Sequence, residues 1–519
     1  MHYYRAMATA KKRTFPLRCA GMDVGSNAFR IVIAEFRSPT RYRILERKRV
    51  PVRLGESVFR AGRIDPETME RALAAFREFR DFMEEYGVVL HRAVATSATR
   101  EAKNRAAFLE RVHEETGIDL ELIPGTEEAR LVALGVRAKV PLTRGTSLIL
   151  DVGGGSSELA LVQRGEILLV ESHNLGAVRL MERVDGAPGR DLLRFLRETI
   201  RTSRFPMLDS LRGHSITHLV GTGGNIEALA TIAHNGAGAK KPVALRIPRL
   251  KALLERMARL KPEERARTFD LKPDRADVIV PAGAVFEYVA TRTRARELIV
   301  PFVGLVDGVL LDLARTAGRS GKKELETSQT INAAIAVLRK YEADTRHAKH
   351  VALLACSLFD QLESLHELGK RDRLLLEIAA LLHEVGNFIA ASGHHRHAYY
   401  IIATTPILGL SDEELEIVAN VARYHRKAPP DPSHEAYAEL PEKAQERVRA
   451  LAAILRVADA LDHDHRQRVT KVTAKRRGSD LKLKLRASGD VTLDEWSVSQ
   501  KGDLLRDEFD VKAIEVTHG

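Results

Sequence analysis

The sequence predicts a duplicated α/β fold in the N-terminal part of the chain, followed by an all-helical domain and a small β-rich tail. An apolar strand, a turn that begins with Asp-Val-Gly and a second apolar strand occur at residue 23 and again at residue 151. The two copies lie 128 residues apart, about one domain length. From about residue 328 to residue 461 the apolar residues recur with helical spacing instead. Two unrelated hairpins that share a turn are the alternative, and they explain the matching flanks less well.

The length, composition and net charge of the chain indicate what kind of protein it is. The chain has 519 residues, of which 44% are hydrophobic and 29% charged. That composition is typical of a globular protein with several domains. The net charge of +12 favours anionic partners such as phosphates or nucleic acid without choosing between them.

The cellular compartment is predicted from what the sequence lacks. Only two cysteines occur, Cys19 and Cys356, which favours a reducing cytosol over a disulfide framework. No run of apolar residues is long enough for a membrane span. The basic residues 1–17 lack the apolar stretch of a signal peptide. We therefore expect a soluble, cytoplasmic protein.

Domain boundaries follow from the changes in pattern. We predict a basic arm (1–17), two related α/β domains (18–140 and 141–317), a Gly-, Ser- and Lys-rich linker (318–327), a helical domain (328–465) and a β-rich tail (466–519). Helices are predicted at 66–86, 106–116, 348–362, 374–390 and 415–424, with a proline-rich loop at 427–432.

The two repeated turns are candidate phosphate-binding loops. Glycine lets backbone N–H groups approach an anion closely, and Ser and Asn add side-chain donors. The candidates are Gly25, Ser26, Asn27, Gly153, Gly154, Gly155, Ser156 and Ser157. An aspartate beside each turn, Asp23 and Asp151, could hold Mg²⁺. A tight hairpin turn without a ligand is the alternative for either segment.

Four segments in order carry a family resemblance. Residues 21–30, 95–100, 124–131 and 151–159 resemble the motif series of the exopolyphosphatase / guanosine pentaphosphate phosphohydrolase (Ppx/GppA) family. Further matches at 174–180, 221–225 and 304–309 extend the resemblance over about residues 18–315. It implies duplicated actin-like (ribonuclease H-like, ASKHA) ATPase-type domains, in agreement with the repeat.

The resemblance implies hydrolysis of a terminal phosphoanhydride, with Glu128 as the catalytic carboxylate. Glu128 would orient and deprotonate the attacking water. The residues alone allow another interpretation, in which Thr126 caps a helix and Glu127 and Glu128 only complement its dipole.

Further site residues are assigned by the same resemblance. Asp151 and Asp23 are candidate ligands of Mg²⁺ or Mn²⁺, and Glu158 would hold metal or water. Arg100 and Arg30 would neutralise charge on the transferred phosphoryl group, although surface ion pairs would also explain them. Gly223 would add a third anion-binding turn or connect a strand to a helix. A monovalent cation is a further candidate cofactor.

The helical half contains a second candidate site. His347, His383, Glu384 and Asp459 resemble the metal-binding pattern of HD phosphohydrolases, with Glu384 where that pattern has Asp. The alternative, which we favour from the sequence, is a histidine-rich basic groove that guides a polyanion and helps to form a homodimer. That groove would include the imidazoles at positions 394, 395, 397 and 425.

The tail carries the strongest local charge. Residues 466–486 hold nine basic side chains and one acidic side chain, which suits an extended polyanion. Aromatic residues make up only 5% of the chain, with one Trp, so specific binding of single-stranded nucleic acid is poorly supported.

These observations predict an exopolyphosphatase that releases orthophosphate processively from inorganic polyphosphate. The close rival is hydrolysis of the 5′ terminal phosphate of guanosine pentaphosphate at the same site. The less favoured hypotheses are a nucleotide-dependent kinase or chaperone-like ATPase, a non-hydrolytic polyphosphate-binding regulator, and an independent nucleotide phosphohydrolase in the helical half.

Overall fold

The computed structural model describes residues 15–184, 191–211, 216–234, 241–318 and 322–518. The chain divides into two compact units, residues 1–323 and residues 324–519. Most of the predicted N-terminal arm lies outside the described residues, and the first strand begins at Leu17.

The first α/β domain is built on a five-stranded sheet in the order β3-β2-β1-β4-β5. Its strands are β1 (Leu17–Val24), β2 (Phe29–Ser38), β3 (Arg41–Val50), β4 (Leu90–Ala95) and β5 (Leu120–Leu122). Its helices are α1 (Leu54–Ala61), α2 (Pro66–Glu85), α3 (Ser97–Glu101), α4 (Arg105–Thr116) and α5 (Gly125–Arg137). Helix α2 starts where Asp65 accepts a hydrogen bond from the backbone of Thr68. Helices α2 and α4 confirm the predictions at 66–86 and 106–116.

The second α/β domain has a six-stranded sheet in the order β10-β11-β9-β6-β7-β8. Its strands are β6 (Thr146–Val152), β7 (Ser157–Gln163), β8 (Glu166–His173), β9 (His218–Thr222), β10 (Val243–Arg246) and β11 (Glu297–Val300). Its helices are α6 (Ala177–Arg183), α7 (Leu192–Thr202), α8 (Pro206–Ser210), α9 (Gly224–Ala233), α10 (Ile247–Ala258), α11 (Pro262–Phe269), α12 (Pro273–Ala276), α13 (Ile279–Arg292) and α14 (Leu305–Gly318).

The two sheets repeat one pairing pattern. Strand β1 is antiparallel to β2 and parallel to β4, and β2 is antiparallel to β3. In the same way β6 is antiparallel to β7 and parallel to β9, and β7 is antiparallel to β8. Asp23 and Asp151 occupy equivalent places, one residue before the ends of β1 and β6. The predicted duplication is therefore present in the strand topology.

Helix α14 holds α5 in place through close backbone contacts. It packs against α5 and against β1. A Cβ on Gly308 of α14 would lie 1.8 Å from the carbonyl oxygen of Leu131 in α5. A Cβ on Gly21 of β1 would lie 3.0 Å from the carbonyl oxygen of Val306. Because glycine has no side chain, the backbones of these elements can come into contact. That contact fixes the position of α5 over the first sheet.

The second unit consists of helices and one three-stranded sheet in the described residues. Its helices are α15 (Lys322–Lys340, which begins just before the boundary), α16 (Thr345–Gln361), α17 (Glu363–His366), α18 (Lys370–Leu382), α19 (His394–Thr404), α20 (Asp412–Arg423), α21 (Glu435–Ala438), α22 (Glu442–Ala460), α23 (Thr492–Lys501) and α24 (Asp503–Glu508), with a 3₁₀ turn at Val385–Phe388. Its strands are β12 (Val469–Arg477), β13 (Asp480–Ala487) and β14 (Ala513–His518), in that order. Helices α16 and α20 confirm the predictions at 348–362 and 415–424.

Three predictions in this part of the chain differ from the structure. The unit boundary falls inside the predicted linker 318–327, but the chain is helical from Lys322 because Lys, Glu and Leu are strong helix formers. The predicted helix 374–390 ends at Leu382. A Cβ on Gly386 would lie 2.0 Å from the carbonyl oxygen of His394, so a close approach of α19 follows the break. The tail also contains α23 and α24 and is mixed rather than β-rich.

Within the described residues, no helix combines the length and the apolar composition that crossing a bilayer requires.

We expect Gly308→Ala to lower the free energy of unfolding by about 1–3 kcal/mol, the usual cost of overpacking a rigid contact. The new methyl group would meet the Leu131 carbonyl oxygen, which cannot move without shifting α5. Differential scanning calorimetry measures the change. Gly304→Ala is the matched control, since no described atom lies within 4 Å of a Cβ at that position. Equal melting temperatures for the two variants would contradict the packing argument.

Candidate functional site

The two glycine-rich turns face each other across one cleft of about 300 Å³. A Cβ on Gly154 would lie 2.9 Å from the Cβ of Ser26 and 3.3 Å from the backbone nitrogen of Asn27. Only glycine allows this approach. The predicted phosphate-binding residues that line the cleft are Gly25, Ser26, Asn27, Arg30, Gly153, Gly154, Ser156 and Gly223. Gly223 also connects β9 to α9, so both interpretations of that turn apply.

Two predicted turn residues lie outside the lining of the cleft. The hydroxyl of Ser157 donates a hydrogen bond to the carbonyl of Leu175 at 2.6 Å. A Cβ on Gly155 would lie 2.3 Å from the hydroxyl oxygen of Ser97, so this residue packs against a neighbouring side chain. Both residues support the shape of the turn rather than face the space between the turns.

Glu128 faces the cleft, whereas its neighbour Glu127 does not. Helix α5 begins at Gly125 with Pro124 as its N-cap, so Thr126 is not the cap considered from the sequence. An oxygen of Glu127 lies 2.7 Å from Nε of Arg130 in an ion pair. Glu128 is only 5% exposed and lines the cleft. The helix therefore directs two adjacent carboxylates to different partners.

Three carboxylates meet at the cleft, where Glu128 and Asp151 belong to the lining and Glu158 does not. Glu128, Asp151 and Glu158, which we call the acidic cluster, each offer one oxygen within 4.8 Å of the others. One oxygen of Glu158 accepts a hydrogen bond from Ser172 at 2.8 Å, and one oxygen of Asp151 accepts from Thr222 at 2.5 Å. The Oε2 atoms of Glu128 and of Glu158 are buried and have no hydrogen-bond partner among the described residues.

Burial and mutual repulsion raise the pKa values of the acidic cluster. Burial, followed by the charge of Asp151, raises the pKa of Glu158 to about 7. Burial and then the charge of Glu158 hold the pKa of Glu128 well above its usual value. Burial also raises the pKa of Asp151, against the hydrogen bond from Thr222. Unpartnered, mutually repelling carboxylate oxygens are suitable ligands for a divalent cation, so these residues fit a divalent metal.

Asp23 is placed differently from the other predicted metal ligands. Nη1 of Arg30 donates a hydrogen bond to Oδ2 of Asp23 at 2.7 Å. Burial raises the pKa of Asp23, and Arg30 opposes that rise. Of the three predicted ligands, Asp151 and Glu158 join Glu128, while Asp23 pairs with an arginine.

Arg100 is not part of the cleft lining, but it contacts Glu128, which is. Its Nη1 lies 3.7 Å from Oε2 of Glu128 and also donates to the carbonyl of Ile123. The charge of Arg100 opposes the rise in the pKa of Glu128. In this arrangement the positive charge of Arg100 interacts with the Glu128 carboxylate and favours its deprotonated form.

Three arginines of the cleft were not predicted from the sequence: Arg47, Arg49 and Arg275. Arg47 forms an ion pair with Asp307, and Arg49 forms one with Asp274. The two β3 arginines alternate along the strand and therefore share a face. That alternation was the available signal, but only the fold shows that this face meets the cleft.

The predicted residues of the helical half also come together. Nε2 of His347 lies 3.3 Å from Nε2 of His383 and 3.5 Å from Oδ1 of Asp459. Nε2 of His383 lies 3.4 Å from the same oxygen. Glu384 is farther away, with an oxygen 4.0 Å from Nε2 of His347. Nζ of Lys501 donates a hydrogen bond to the other oxygen of Asp459, Oδ2, at 2.6 Å.

Hydrogen bonds orient these two imidazoles. Nδ1 of His383 lies 2.7 Å from the carbonyl oxygen of Ala380, and Nδ1 of His347 lies 2.9 Å from a carboxylate oxygen of Asp462. Each Nδ1–H is thereby directed to an oxygen, which turns Nε2 towards the neighbouring ring. Burial opposes protonation, but the carboxylates of Asp459 and Asp462 outweigh it and raise the pKa of His347 to about 9. A positive charge, either a proton or a metal ion, therefore suits this position.

A second histidine pair adjoins the first. The Nε2 atoms of His394 and His425 lie 3.3 Å apart, and both Nδ1 atoms lie within hydrogen-bond distance of backbone carbonyls, at 3.1 and 2.6 Å. The rings of His425 and His383 are 4.9 Å apart. Burial holds the pKa of His425 well below its usual value, which keeps that ring neutral. The imidazoles of His347, His383, His394 and His425 are buried. Of the four imidazoles assigned to a groove from the sequence, those of His394 and His425 are therefore not exposed, whereas those of His395 and His397 are partly exposed.

Comparisons with known proteins agree with this geometry. Residues 32–317 match the model of the Ppx/GppA phosphatase family, and residues 330–508 match the model of Ppx/GppA phosphatase, domain III. An exopolyphosphatase from Cytophaga hutchinsonii is 28% identical, with a TM-score of 0.55, over 58% of this chain and 100% of its own. The Aquifex aeolicus member of the Ppx/GppA family is 27% identical, with a TM-score of 0.51, over 59% of this chain and 99% of its own.

The two model matches together span most of the chain, and the first includes the second glycine-rich turn, Glu128 and the acidic cluster. On this evidence the chain belongs to the Ppx/GppA phosphatase family.

Proposed function

We propose that this protein is an exopolyphosphatase, which hydrolyses the terminal phosphoanhydride bond of inorganic polyphosphate and releases orthophosphate. The observation that carries the proposal is the buried carboxylate of Glu128, whose Oε2 accepts no hydrogen bond from the described residues, beside two glycine-rich turns that line one cleft. Family membership and the similarity to the Cytophaga exopolyphosphatase support it.

Different residues of the cleft have different roles in the reaction. Backbone N–H groups of the two turns bind the terminal phosphates. Glu128 orients a water molecule and accepts its proton as the oxygen attacks the terminal phosphorus. The bond from that phosphorus to the bridging oxygen breaks, and orthophosphate leaves a chain that is one phosphate shorter. Arg30 adds positive charge on the side of Asp23.

The acidic cluster would hold the metal. Asp151 and Glu158 are the ligands we propose for Mg²⁺ or Mn²⁺, because both offer oxygens near Glu128. A bound divalent cation supplies positive charge that neutralises the phosphate oxygens.

Guanosine pentaphosphate offers the same terminal anhydride, so the same residues would serve its 5′-phosphohydrolysis. A non-hydrolytic polyphosphate-binding regulator fits the cleft less well, because binding alone does not require a buried carboxylate between the turns.

Parallel assays of orthophosphate release test the proposal. The purified protein with Mg²⁺ is offered long-chain polyphosphate, guanosine pentaphosphate and ATP. We expect the fastest release from polyphosphate. Preference for guanosine pentaphosphate would identify an alarmone phosphatase instead, and release from ATP alone would reject both assignments.

We also propose that the second unit binds a transition metal at His347, His383 and Asp459, next to His394 and His425. Imidazole and carboxylate ligands suit metals such as Mn, Fe, Ni and Zn. Two imidazole Nε2 atoms facing each other at 3.3 Å, once in each pair, support this site.

The compartment and the assembly are proposed on more general grounds. Cys19 and Cys356 are the two cysteines of the chain, and both are buried, which suits a reducing cytoplasm. We propose a homodimer, in keeping with the exposed apolar side chains Phe388, Ile389 and Tyr400 of the second unit. Sedimentation velocity tests the assembly, and a monomer at micromolar concentration would contradict it.

We expect Glu128→Gln to lower turnover on polyphosphate at least about a hundredfold, because the positioned base is lost. Binding of polyphosphate and the melting temperature should remain near those of the parent protein. Glu127→Gln is the matched control, since Glu127 pairs with Arg130 away from the cleft. Near-normal turnover of Glu128→Gln, or an equal loss in Glu127→Gln, would reject the assignment.

We expect the affinity for Mg²⁺ to rise between about pH 6 and about pH 8, because the metal binds carboxylates in their deprotonated form. Burial and Asp151 raise the pKa of Glu158 to about 7, so a proton competes with the metal below that pH. Isothermal titration calorimetry in buffers of different ionisation enthalpy measures both affinity and proton release. In Glu158→Gln the pH dependence over this range should become small. A parent affinity that is constant with pH would contradict the prediction.

We expect His383→Ala to lose transition metal from the purified protein, as measured by inductively coupled plasma mass spectrometry. The variant removes an Nε2 that faces both His347 and Asp459. His518→Ala is the control, because that imidazole is exposed and pairs with Glu495. If the parent protein and both variants contain the same amount of metal after incubation with Mn²⁺ or Zn²⁺ and desalting, the second site is rejected.

A further inference from the structure

A second cavity, of about 800 Å³, adjoins the catalytic cleft. The two spaces share Arg49, Glu227, Arg275 and Phe302 in their linings, so these residues stand where the two spaces adjoin. Farther out, the second cavity is lined by Arg267 and Lys272, both exposed. We call this space the outer cavity.

Arg49 has unused donors at the junction. Its Nη2 pairs with Asp274. Its Nε and Nη1 are buried and have no hydrogen-bond partner among the described residues. Buried N–H groups of a charged guanidinium are costly without acceptors, so an anion between the two spaces would satisfy them.

Arg275 is held close to other positive groups. A Cβ on Gly224 would lie 2.8 Å from Nη2 of Arg275 and 3.4 Å from Nη2 of Arg30. The two guanidinium groups thus meet at Gly224, the first residue of α9, where the helix dipole is also positive. Burial, followed by repulsion from Arg49 and Arg30, lowers the pKa of Arg275. Like charges gathered in this way favour an anionic ligand.

We propose that the outer cavity binds the phosphates that follow the terminal one, so that polyphosphate leaves the cleft between Arg49 and Arg275 and continues past Arg267 and Lys272. This inference rests on the proposed function and adds the path of the substrate. Four cations line the outer cavity against the acids Glu227 and Asp270. That excess, together with the unused donors of Arg49, favours a linear polyanion over a nucleoside, although Phe269 supplies an apolar wall.

The test is the double charge reversal Arg267→Glu/Lys272→Glu. Both side chains are exposed, so folding should be preserved, and a thermal melt checks it. We expect the ratio of kcat/KM for long-chain polyphosphate to kcat/KM for tripolyphosphate to fall at least about fivefold, because repulsion acts only on a chain long enough to reach the cavity. Arg249→Glu is the matched control, an exposed cation of α10 outside both cavities, and it should leave the ratio unchanged.

The other possible results of these assays distinguish a failure of the outer path from a failure of the proposed function. An unchanged ratio in the double variant overturns the outer path and leaves the exopolyphosphatase proposal standing. A loss confined to guanosine pentaphosphate assigns the cavity to a nucleoside and also overturns the inference. If the parent protein releases no orthophosphate from either polyphosphate, the proposed function fails. Equilibrium binding of long-chain polyphosphate to the parent and to the double variant then decides the path by itself, and equal affinities reject it.

Discussion

The burial of three carboxylates at one point is the constraint on which the rest of the catalytic unit depends. Glu128, Asp151 and Glu158 repel one another and leave two oxygens without hydrogen-bond partners among the described residues. Such an arrangement is costly unless the surrounding elements hold it rigidly and a proton or a cation relieves the repulsion. Rigidity comes from the pairing of β6 with β7, which places Asp151 opposite Glu158. It also comes from the glycine contact of α14, which holds α5 and Glu128.

Positive charge is arranged around this acidic point in a graded way. Arg100 lies close enough to modulate Glu128 directly, whereas Arg30 is engaged by Asp23. Beyond them, Arg49 and Arg275 carry positive charge from the cleft into the outer cavity. Under the proposed function, a substrate that is anionic along its whole length would meet the acidic cluster at one end and the basic outer cavity beyond it. The distribution of charge in the cleft, and not only its shape, therefore suits a chain of phosphates as the ligand.

The second unit also buries a cluster of polar side chains, and there most of them are imidazoles. Four buried imidazoles, each with Nδ1 near an oxygen acceptor, direct their Nε2 atoms towards one another in two pairs. The carboxylate of Asp459 is shared between one pair and Lys501. In both units, buried side chains that could hold a metal ion lie close together, and these four histidines are interior residues.

The sequence by itself determined the repeated strand-turn-strand units, the two glycine turns, the motif that contains Glu128 and the helical character of the second half. These signals are local, because turn chemistry, side-chain periodicity and motif order do not require distant contacts. Only the tertiary structure separated Glu128 from Glu127, paired Asp23 with Arg30, and brought the arginines of β3 and α12 to the cleft. Only the fold showed that the helix predicted at 374–390 ends at Leu382. These outcomes depend on which faces of distant elements meet, and backbone contacts at glycines such as Gly308 and Gly154 decide that.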